Sequence, residues 1–503
     1  MPRRTLMLML ALWMGNLLPA LDATMIGTAL PTIVGALEGL HLYGWVFAAY
    51  LLTFTTSVPV CGKLADLYGR KPVFAVGIGV YMVASALSGL TQSIEQLILC
   101  RALVGIGLGA AVPVAMTIMG DAFSLEQRAK IQWVFASAWF LCSVVGPALG
   151  GAITLLFSWR LVFFVSMPLG VIATLLLFAN YEERVERRPH SIDVFGAILL
   201  AAGVMAMLLA LSPGGRGANL SLESSLLLLG LSAVLLAAFV WNEKRAPEPL
   251  LPLPLMLTPV VGISVLGSLL CGMVQFGASS YLPLFAQGAQ GGTAAHAGAV
   301  LAPLTLGWPL GAGFGGRFLM AIGFRKSVLL GMMFAMVSQA GFLFISRDTP
   351  LPVMMASMFV LGLGFGFSNV GFMFAVQESV GWNQRGIATA SLQFARSIGG
   401  SVGVAVMGAL VTFSLAPFLA THDIGGQNVT SALLDPVARA ALAPDALADL
   451  QLALADGLHL AFVLMAVVAG AAFLCALAFP AHVESRRSEE AVESKSMEQA
   501  SIR

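Results

Sequence analysis

Gly62-Lys63-Leu64-Ala65-Asp66-Leu67-Tyr68-Gly69-Arg70-Lys71 is a short charged connector between two long apolar runs. Gly316-Arg317-Phe318-Leu319-Met320-Ala321-Ile322-Gly323, followed by Arg325-Lys326, repeats its pattern in the second half of the chain. The runs on either side set the solvent. Of 503 residues, 58% are apolar and 10% are charged, against about 25% charged in a soluble domain. Such a chain has too little polar surface to face water, so the alternative solvent is lipid. A helix that crosses a bilayer needs about 20 mostly apolar residues. Breaks at charge, Gly and Pro divide the chain into fourteen such spans, about 5–30, 43–62, 72–91, 95–119, 129–152, 160–180, 192–212, 222–242, 260–286, 296–320, 325–346, 351–377, 386–414 and 457–480. Arg3 and Arg4 precede the first run, which continues past Asp22 to Leu30 with no small-x-small cleavage site. It reads as a spanning helix rather than a signal peptide.

The repeat extends beyond the connector. Gly105-x-Gly-x-Gly109 matches Gly362-x-Gly-x-Gly366, Gln127-Arg128 matches Gln384-Arg385, and Gly146 matches Gly403, all at one offset of 257 residues. The reading is an all-α integral membrane protein of two six-helix bundles, residues 1–191 and 259–480, with two extra helices and a cytoplasmic linker at 192–258. A long outer loop is expected at about 416–455, and a polar, disordered tail at 481–503. Parallel halves about an axis along the membrane normal put a substrate path between them at mid-membrane. The copies differ where the chemistry is. Asp66 becomes Met320, Arg101 becomes Met358, Pro147 becomes Val404, and Asp22 has no acidic counterpart. The second half thus keeps the scaffold glycines and loses ionisable groups.

Lys and Arg orient the chain. With the N-terminus in the cytoplasm, inside segments hold 20 basic residues and outside segments 4. Both termini are therefore expected in the cytoplasm of a multi-pass protein of the cell inner (plasma) membrane. The net charge of +1 points to no nucleic-acid partner. The five cysteines are odd in number, without paired or metal-ligand spacing, and read as small buried hydrophobes. No phosphate-cradling Gly-x-x-x-x-Gly-Lys-Ser/Thr loop, nucleophile triad or histidine metal cluster is visible. The expectation is a protein that is not an enzyme and carries no cofactor or metal, with protons as coupling ion.

Charges within spans are costly and therefore functional candidates. Asp22 lies about 17 residues into an outward-running helix, and Arg101 about six residues into an inward-running one. At 1.5 Å per residue both fall in the outer half of the bilayer, at similar depth. A carboxyl group separated from its arginine in low dielectric takes up a proton, and one joined to it releases the proton. The pair reads either as a proton-coupling site or as a static ion pair that fixes helix register. Arg396, about ten residues into its span, either faces a cavity or snorkels to the inner surface. Asn16, Gln275, Asn369 and Gln393 are further substrate-cavity candidates, each alternatively a helix–helix hydrogen bond. Asp66, Arg70 and Lys71, with Gly62 and Gly69 permitting a tight turn, read as a latch or as topology signal alone. Gly146, Pro147, Gly150 and Gly151 read as a gating element or as a kinked packing helix. Trp159-Arg160 suits an interface anchor.

These residues resemble the fourteen-helix drug:proton antiporter branch of the major facilitator superfamily. Leu21-Asp22-Ala23-Thr24-Met25-Ile26-Gly27-Thr28-Ala29-Leu30-Pro31 is similar to that branch's first-helix motif. Gly62 to Lys71 resembles the superfamily's motif between helices 2 and 3. Leu99-x-Arg101-x-x-x-Gly105 resembles the helix-4 motif, whose Arg is assigned to proton transfer. Gly146-Pro147-x-x-Gly150-Gly151 resembles the helix-5 antiporter motif. The resemblance covers the chain to about Pro480. It implies a major facilitator fold and export of an amphipathic toxic compound against protons by alternating access. The implied partners are a small-molecule substrate, the lipid bilayer and, as for some members, a periplasmic adaptor and an outer-membrane channel. Some members carry extra acids in the second half to recognise cations. Here only Glu378, near an inner end, is present, which argues against strongly polycationic substrates. Two other functions fit the residues less closely: transport of one defined metabolite, such as a siderophore, sugar or amino-acid derivative, and a non-transporting membrane sensor or channel.

Overall fold

The computed structural model describes residues 3–37, 45–183, 193–211, 222–246, 253–292, 294–421 and 444–481. Fourteen long helices account for nearly all of them: α1 Arg3–Ala36, α2 Trp45–Tyr68, α3 Arg70–Leu90, α4 Ile94–Ala122, α5 Leu125–Leu156, α6 Met167–Asn180, α7 Val194–Leu211, α8 Leu222–Glu243, α9 Pro259–Leu284, α10 Ala294–Ile322, α11 Phe324–Phe342, α12 Leu351–Ser379, α13 Arg385–Thr421 and α14 Pro444–Leu477. A 3-10 segment, Trp159–Phe163, leads into α6, and a π turn, Phe285–Ala289, ends α9. Twelve of the helical segments are long and apolar enough to cross a membrane. Of the other two, α7 is apolar over Phe195–Met207, and α11 opens on Arg325 and Lys326, which dilute its apolar run. The chain is thus an all-helical protein with twelve to fourteen membrane-spanning helices.

Local signals set the helix starts. Ser93 accepts a hydrogen bond from the Gln96 N–H at the head of α4. Ser124 and Gln127 form a reciprocal capping box on α5. Three sequence expectations need correction. The segment Gly62–Tyr68 is not a turn but the last turns of α2, and Gly316–Ile322 likewise ends α10. Only Gly69 and Gly323 break the helices, with φ of +101° and +83°. That backbone conformation is essentially confined to glycine, and its recurrence makes the connector a structural repeat. The segment expected as an outer loop, about 416–455, is helical at both ends, because α13 runs to Thr421 and α14 begins at Pro444. Proline at the first position and Asp445 in the first turn favour a helix start there, and the Ala- and Leu-rich segment that follows extends it. The acids of that stretch break an apolar run without breaking a helix. Residues 422–443, most of the linkers at 184–192 and 247–252, and the tail from 482 lie outside the described residues.

The chain divides into two compact units. One comprises the described residues within Met1–Val265, Gly371–Phe394 and Pro480–Arg503; the other is Leu266–Val370 with Ala395–Phe479. In the first, α4 packs between α2 and α3, and α1 packs on α5 and α6. The seams are glycine-lined. A Cβ on Gly107 would stand 2.6 Å from the Tyr81 nitrogen, and one on Gly105 would overlap Thr53 Oγ1 and the Tyr50 carbonyl. In the second, a Cβ on Gly362 would stand 2.6 Å from the Leu304 carbonyl, and one on Gly364 would stand 2.7 Å from that of Gly331. The repeated glycines therefore do the same work in both copies. They let apolar helices approach to backbone contact where lipid supplies no hydrophobic drive between them.

Candidate functional site

Asp22 of α1 and Arg101 of α4 form a two-pronged ion pair. Arg101 Nη1 donates to Oδ1 at 2.9 Å and Nη2 to Oδ2 at 2.6 Å. Both residues are buried, 6% and 1% exposed. The surrounding core is apolar: Leu17, Leu21 and Met25 of α1, Leu97 of α4, and Ala138 and Cys142 of α5. In such a medium the pair is tightly held, and removal of either partner leaves a buried charge. The Arg101 guanidinium also lies 5.1 Å from the centroid of the Tyr50 ring on α2.

A second network sits at the Lys/Arg-rich end of the same unit. Asp66, in the last turn of α2, accepts the backbone N–H groups of Gly386 at 3.0 Å and Ile387 at 2.8 Å. Its carboxylate thus occupies the N-terminus of α13, where unsatisfied donors and the helix dipole favour a negative charge. Gly62, which sequence alone placed in a turn, instead brings α2 onto α13: a Cβ there would stand 2.6 Å from that of Ala390. Arg70 is fully buried. Its Nη2 donates to Asp66 Oδ1 at 3.0 Å and to the Trp382 carbonyl at 2.7 Å. Its Nε stands 3.0 Å from Asp121 Oδ2, and its guanidinium stacks 3.5 Å from the centroid of the Trp382 ring. Arg385 reaches Asp121 Oδ1 at 3.2 Å and the Gln377 carbonyl at 3.0 Å. Arg128 donates to Gln377 Oε1 at 2.7 Å and is ion-paired with Glu378. Three arginines and three carboxylates thus balance in one cluster.

Lys71 stands apart from that cluster. Its Nζ donates to the Phe178 and Tyr181 carbonyls at 2.8 and 3.1 Å. The start of α3 is held by Glu183, whose carboxylate accepts the N–H groups of Arg70 and Lys71. Partial burial pushes the Glu183 carboxyl above the ordinary glutamate range, and those hydrogen bonds oppose the rise.

Two of the helix-5 glycines pack on α1. A Cβ on Gly146 would overlap Thr24 Oγ1, and one on Gly150 would stand 2.6 Å from Thr28 Oγ1, both on α1; Gly151 faces open space. α5 runs unbroken through position 147, and the side chain of Pro147 lies outside the description. Among the cavity candidates, Asn16 donates to the Phe135 carbonyl at 3.1 Å and is a helix–helix tie. The Arg396 guanidinium lies 5.4 Å from the centroid of the Trp308 ring. Gln275, Asn369 and Gln393 are half-buried on α9, α12 and α13.

Sequence reasoning missed Tyr50, Asp121, Gln377, Glu378 and Glu183 as site residues. The 257-residue offset relates Asp121 to Glu378 as it relates Arg128 to Arg385, so the repeat itself held the signal. It also corrects the expectation that the second half had lost its ionisable groups. For Glu183 and Tyr50 no spacing or motif pointed the way.

The sequence profile of the Major Facilitator Superfamily matches residues 12–404. The multidrug transporter protein MdtP of Bacillus subtilis (strain 168) is 34% identical, over 94% of this chain and 92% of its own length. Multidrug resistance protein 3 of the same organism is 33% identical, over 81% and 80%. Among solved structures, the human organic anion transporter MFSD10 (TETRAN) superposes with a TM-score of 0.63 at 16% identity, covering 95% of this chain and all of that one. A family match over most of the chain, relatives matched over most of their own length and a shared all-helical fold lead to one conclusion: the chain belongs to the Major Facilitator Superfamily and is a multi-pass membrane transporter.

Proposed function

We propose that this transporter exports lipophilic compounds, drugs among them, across the cell inner membrane in exchange for protons. The observation that carries the reading is the buried two-pronged pair of Asp22 and Arg101. A carboxylate so held keeps its charge, and one parted from its guanidinium in low dielectric takes up a proton. A helix rearrangement that opens and closes the pair therefore exchanges protons in step with conformation. The names of these two relatives, a multidrug transporter protein and a multidrug resistance protein, favour lipophilic substrates.

The network of Asp66, Arg70, Asp121, Arg128, Glu378 and Arg385 serves as the latch of the cycle. It is formed in this structure, and access from its side requires that it break. The two six-helix halves, 1–191 and 259–480, move against each other in this reading, with 192–258 as an insert and both termini cytoplasmic. The energy is sufficient in principle, at about 2.3 kcal/mol per charge per 100 mV.

The test uses everted membrane vesicles loaded by respiration with a proton gradient. Addition of ethidium, chloramphenicol or another lipophilic compound should release protons in vesicles that carry the protein and not in controls. Transport of one metabolite with no response across a panel of dyes and antibiotics would instead assign a single-substrate carrier. Substrate movement with no proton movement would remove the antiport reading.

A further inference from the structure

Arg396 of α13 is a mid-span charge with no role in the proposed cycle. It lies about 16 Å along the axis from Arg385, the first residue of the helix, at 1.5 Å per residue. Its side chain is too deep to reach that end of the helix, and it turns to a neighbour instead. The guanidinium stands 5.4 Å from the centroid of the Trp308 ring on α10, within the distance at which an aromatic face attracts a cation. The same stretch of backbone is pressed onto α9: a Cβ on Gly272 would overlap the Arg396 carbonyl, and one on Gly400 would overlap the Phe276 ring. Arg396 thus sits among α9, α10 and α13 of the second unit. The indole is backed by Phe365 of α12, centroid to centroid 6.3 Å. Arg396 and Trp308 are nevertheless only half-buried, so part of each residue's surface is within reach of a small molecule.

A charge held at this depth is costly, and such residues mark substrate or ion pathways. Arginine stays charged at physiological pH, and its planar fork matches the oxygens of a carboxylate or sulfonate. The indole beside it offers a flat apolar face on which an aromatic ring stacks. In a mostly apolar site, a few placed polar groups orient the ligand. The two side chains present a cation and a ring at one spot, the complement of an aromatic body that carries an acidic group. We propose that Arg396 and Trp308 form a substrate subsite for amphipathic aromatic anions: the guanidinium takes the carboxylate or sulfonate, and the indole lies along the aromatic body. The inference rests on the export reading and names a substrate class within it. The competing role is a static tie of α13 to α10, in which the pair serves packing alone.

The experiment uses two dyes, fluorescein and rhodamine 6G, which share a xanthene ring system and carry opposite charge at pH 8. Their binding to the purified full-length protein in detergent is followed by fluorescence polarisation, with no proton gradient. The wild-type protein should hold fluorescein more tightly than rhodamine 6G. Arg396→Gln should weaken fluorescein binding about 10- to 100-fold and leave rhodamine 6G unchanged or tighter. Arg396→Lys keeps the charge and loses the fork, so its loss for fluorescein should be smaller. Trp308→Leu should weaken both dyes alike, because stacking does not depend on the sign of charge. Equal losses of both dyes in Arg396→Gln would assign the static tie and overturn the proposal, as would wild-type protein that does not bind fluorescein. If Arg396→Gln does not fold, Arg396→Lys decides, and equal losses of the two dyes there overturn it too. If the selectivity is as expected but fluorescein releases no protons from vesicles that carry the protein, the subsite stands and the antiport reading falls.

Discussion

Arg128 pairs with Glu378, and the equivalents of both residues in the internal repeat, Arg385 and Asp121, pair with each other. Each arginine reaches the acid of the other copy. A single offset of 257 residues therefore generates two reciprocal ion pairs from one motif, in the way a two-fold interface pairs each residue with its partner's counterpart. Arg70 and Asp66 join them through Asp121 and the start of α13. The cluster is charge-balanced only as a whole.

Removal of two opposite charges should therefore cost less than the sum of the two single removals. Asp121→Asn and Arg385→Gln each leave the buried cluster with one uncompensated charge. Each is expected to destabilise the closed network by about 3–5 kcal/mol. The double variant should be less damaged than the sum of the two. Thermal unfolding in detergent, arranged as a double-mutant cycle, measures the coupling. Strict additivity would show that the two residues act independently.

Asp22→Asn should abolish substrate-driven proton release in everted vesicles while leaving membrane insertion intact, although the unpaired Arg101 should lower the melting temperature. The neutral amide preserves shape and keeps α1 packed, but it cannot carry the exchanged proton. Full coupled transport by this variant would falsify the proton-carrier assignment.

The glycines divide into close-packed and free positions. Gly107→Ala puts a methyl group 2.6 Å from the Tyr81 backbone nitrogen. It should lower the melting temperature by several degrees, because backbone cannot give way as a side-chain tip can. Gly79→Ala, on α3 with nothing within 4 Å, should be neutral or stabilising by up to about 1 kcal/mol, the helix-propensity gain. Parallel melting curves separate the two. Similar losses in both would mean that the α3–α4 seam does not depend on backbone contact.

Glu183 gives a pH signature outside the membrane spans. Its carboxyl is raised above the ordinary glutamate value in the folded protein, first by partial burial. The folded state therefore holds this proton at pH values where the unfolded chain has lost it. Stability falls as pH rises through the window just above the usual glutamate range. Glu183→Gln cannot titrate, so it should flatten the melting temperature across that window. An unchanged profile would assign the pH response to another group.

The connector motif illustrates how far the residues alone could be read. Its two copies, the charge balance of the segments and the apolar runs were all visible, and the positions of Asp22 and Arg101 along their spans already put them at similar depth. In sequence the turn looks longer than it is, because Gly62 and Gly69 look alike. Only Gly69 has the positive φ, and Gly62 serves close packing. Asp66 was read beside its neighbour Arg70, yet its main-chain partners are 320 and 321 residues away. Asn16, open in sequence between a cavity residue and a helix–helix hydrogen bond, donates to a carbonyl of α5.

Composition and local pattern determined that the chain lives in lipid, roughly where its apolar helices lie, and that it contains two copies of one plan. Those follow from single-residue chemistry: transfer to an apolar solvent, capping, and the conformational range of glycine. Which side of each helix meets which neighbour was decided by the tertiary structure. Helices that are apolar all round carry no stripe to point them inward, so their rotation is set by where glycines admit another backbone and where buried charges find partners. That is why Asp22 and Arg101 could be expected at one level, while their direct contact, the Tyr50 ring beside them and the crossed pairs of Arg128 and Arg385 emerged only from the packed molecule.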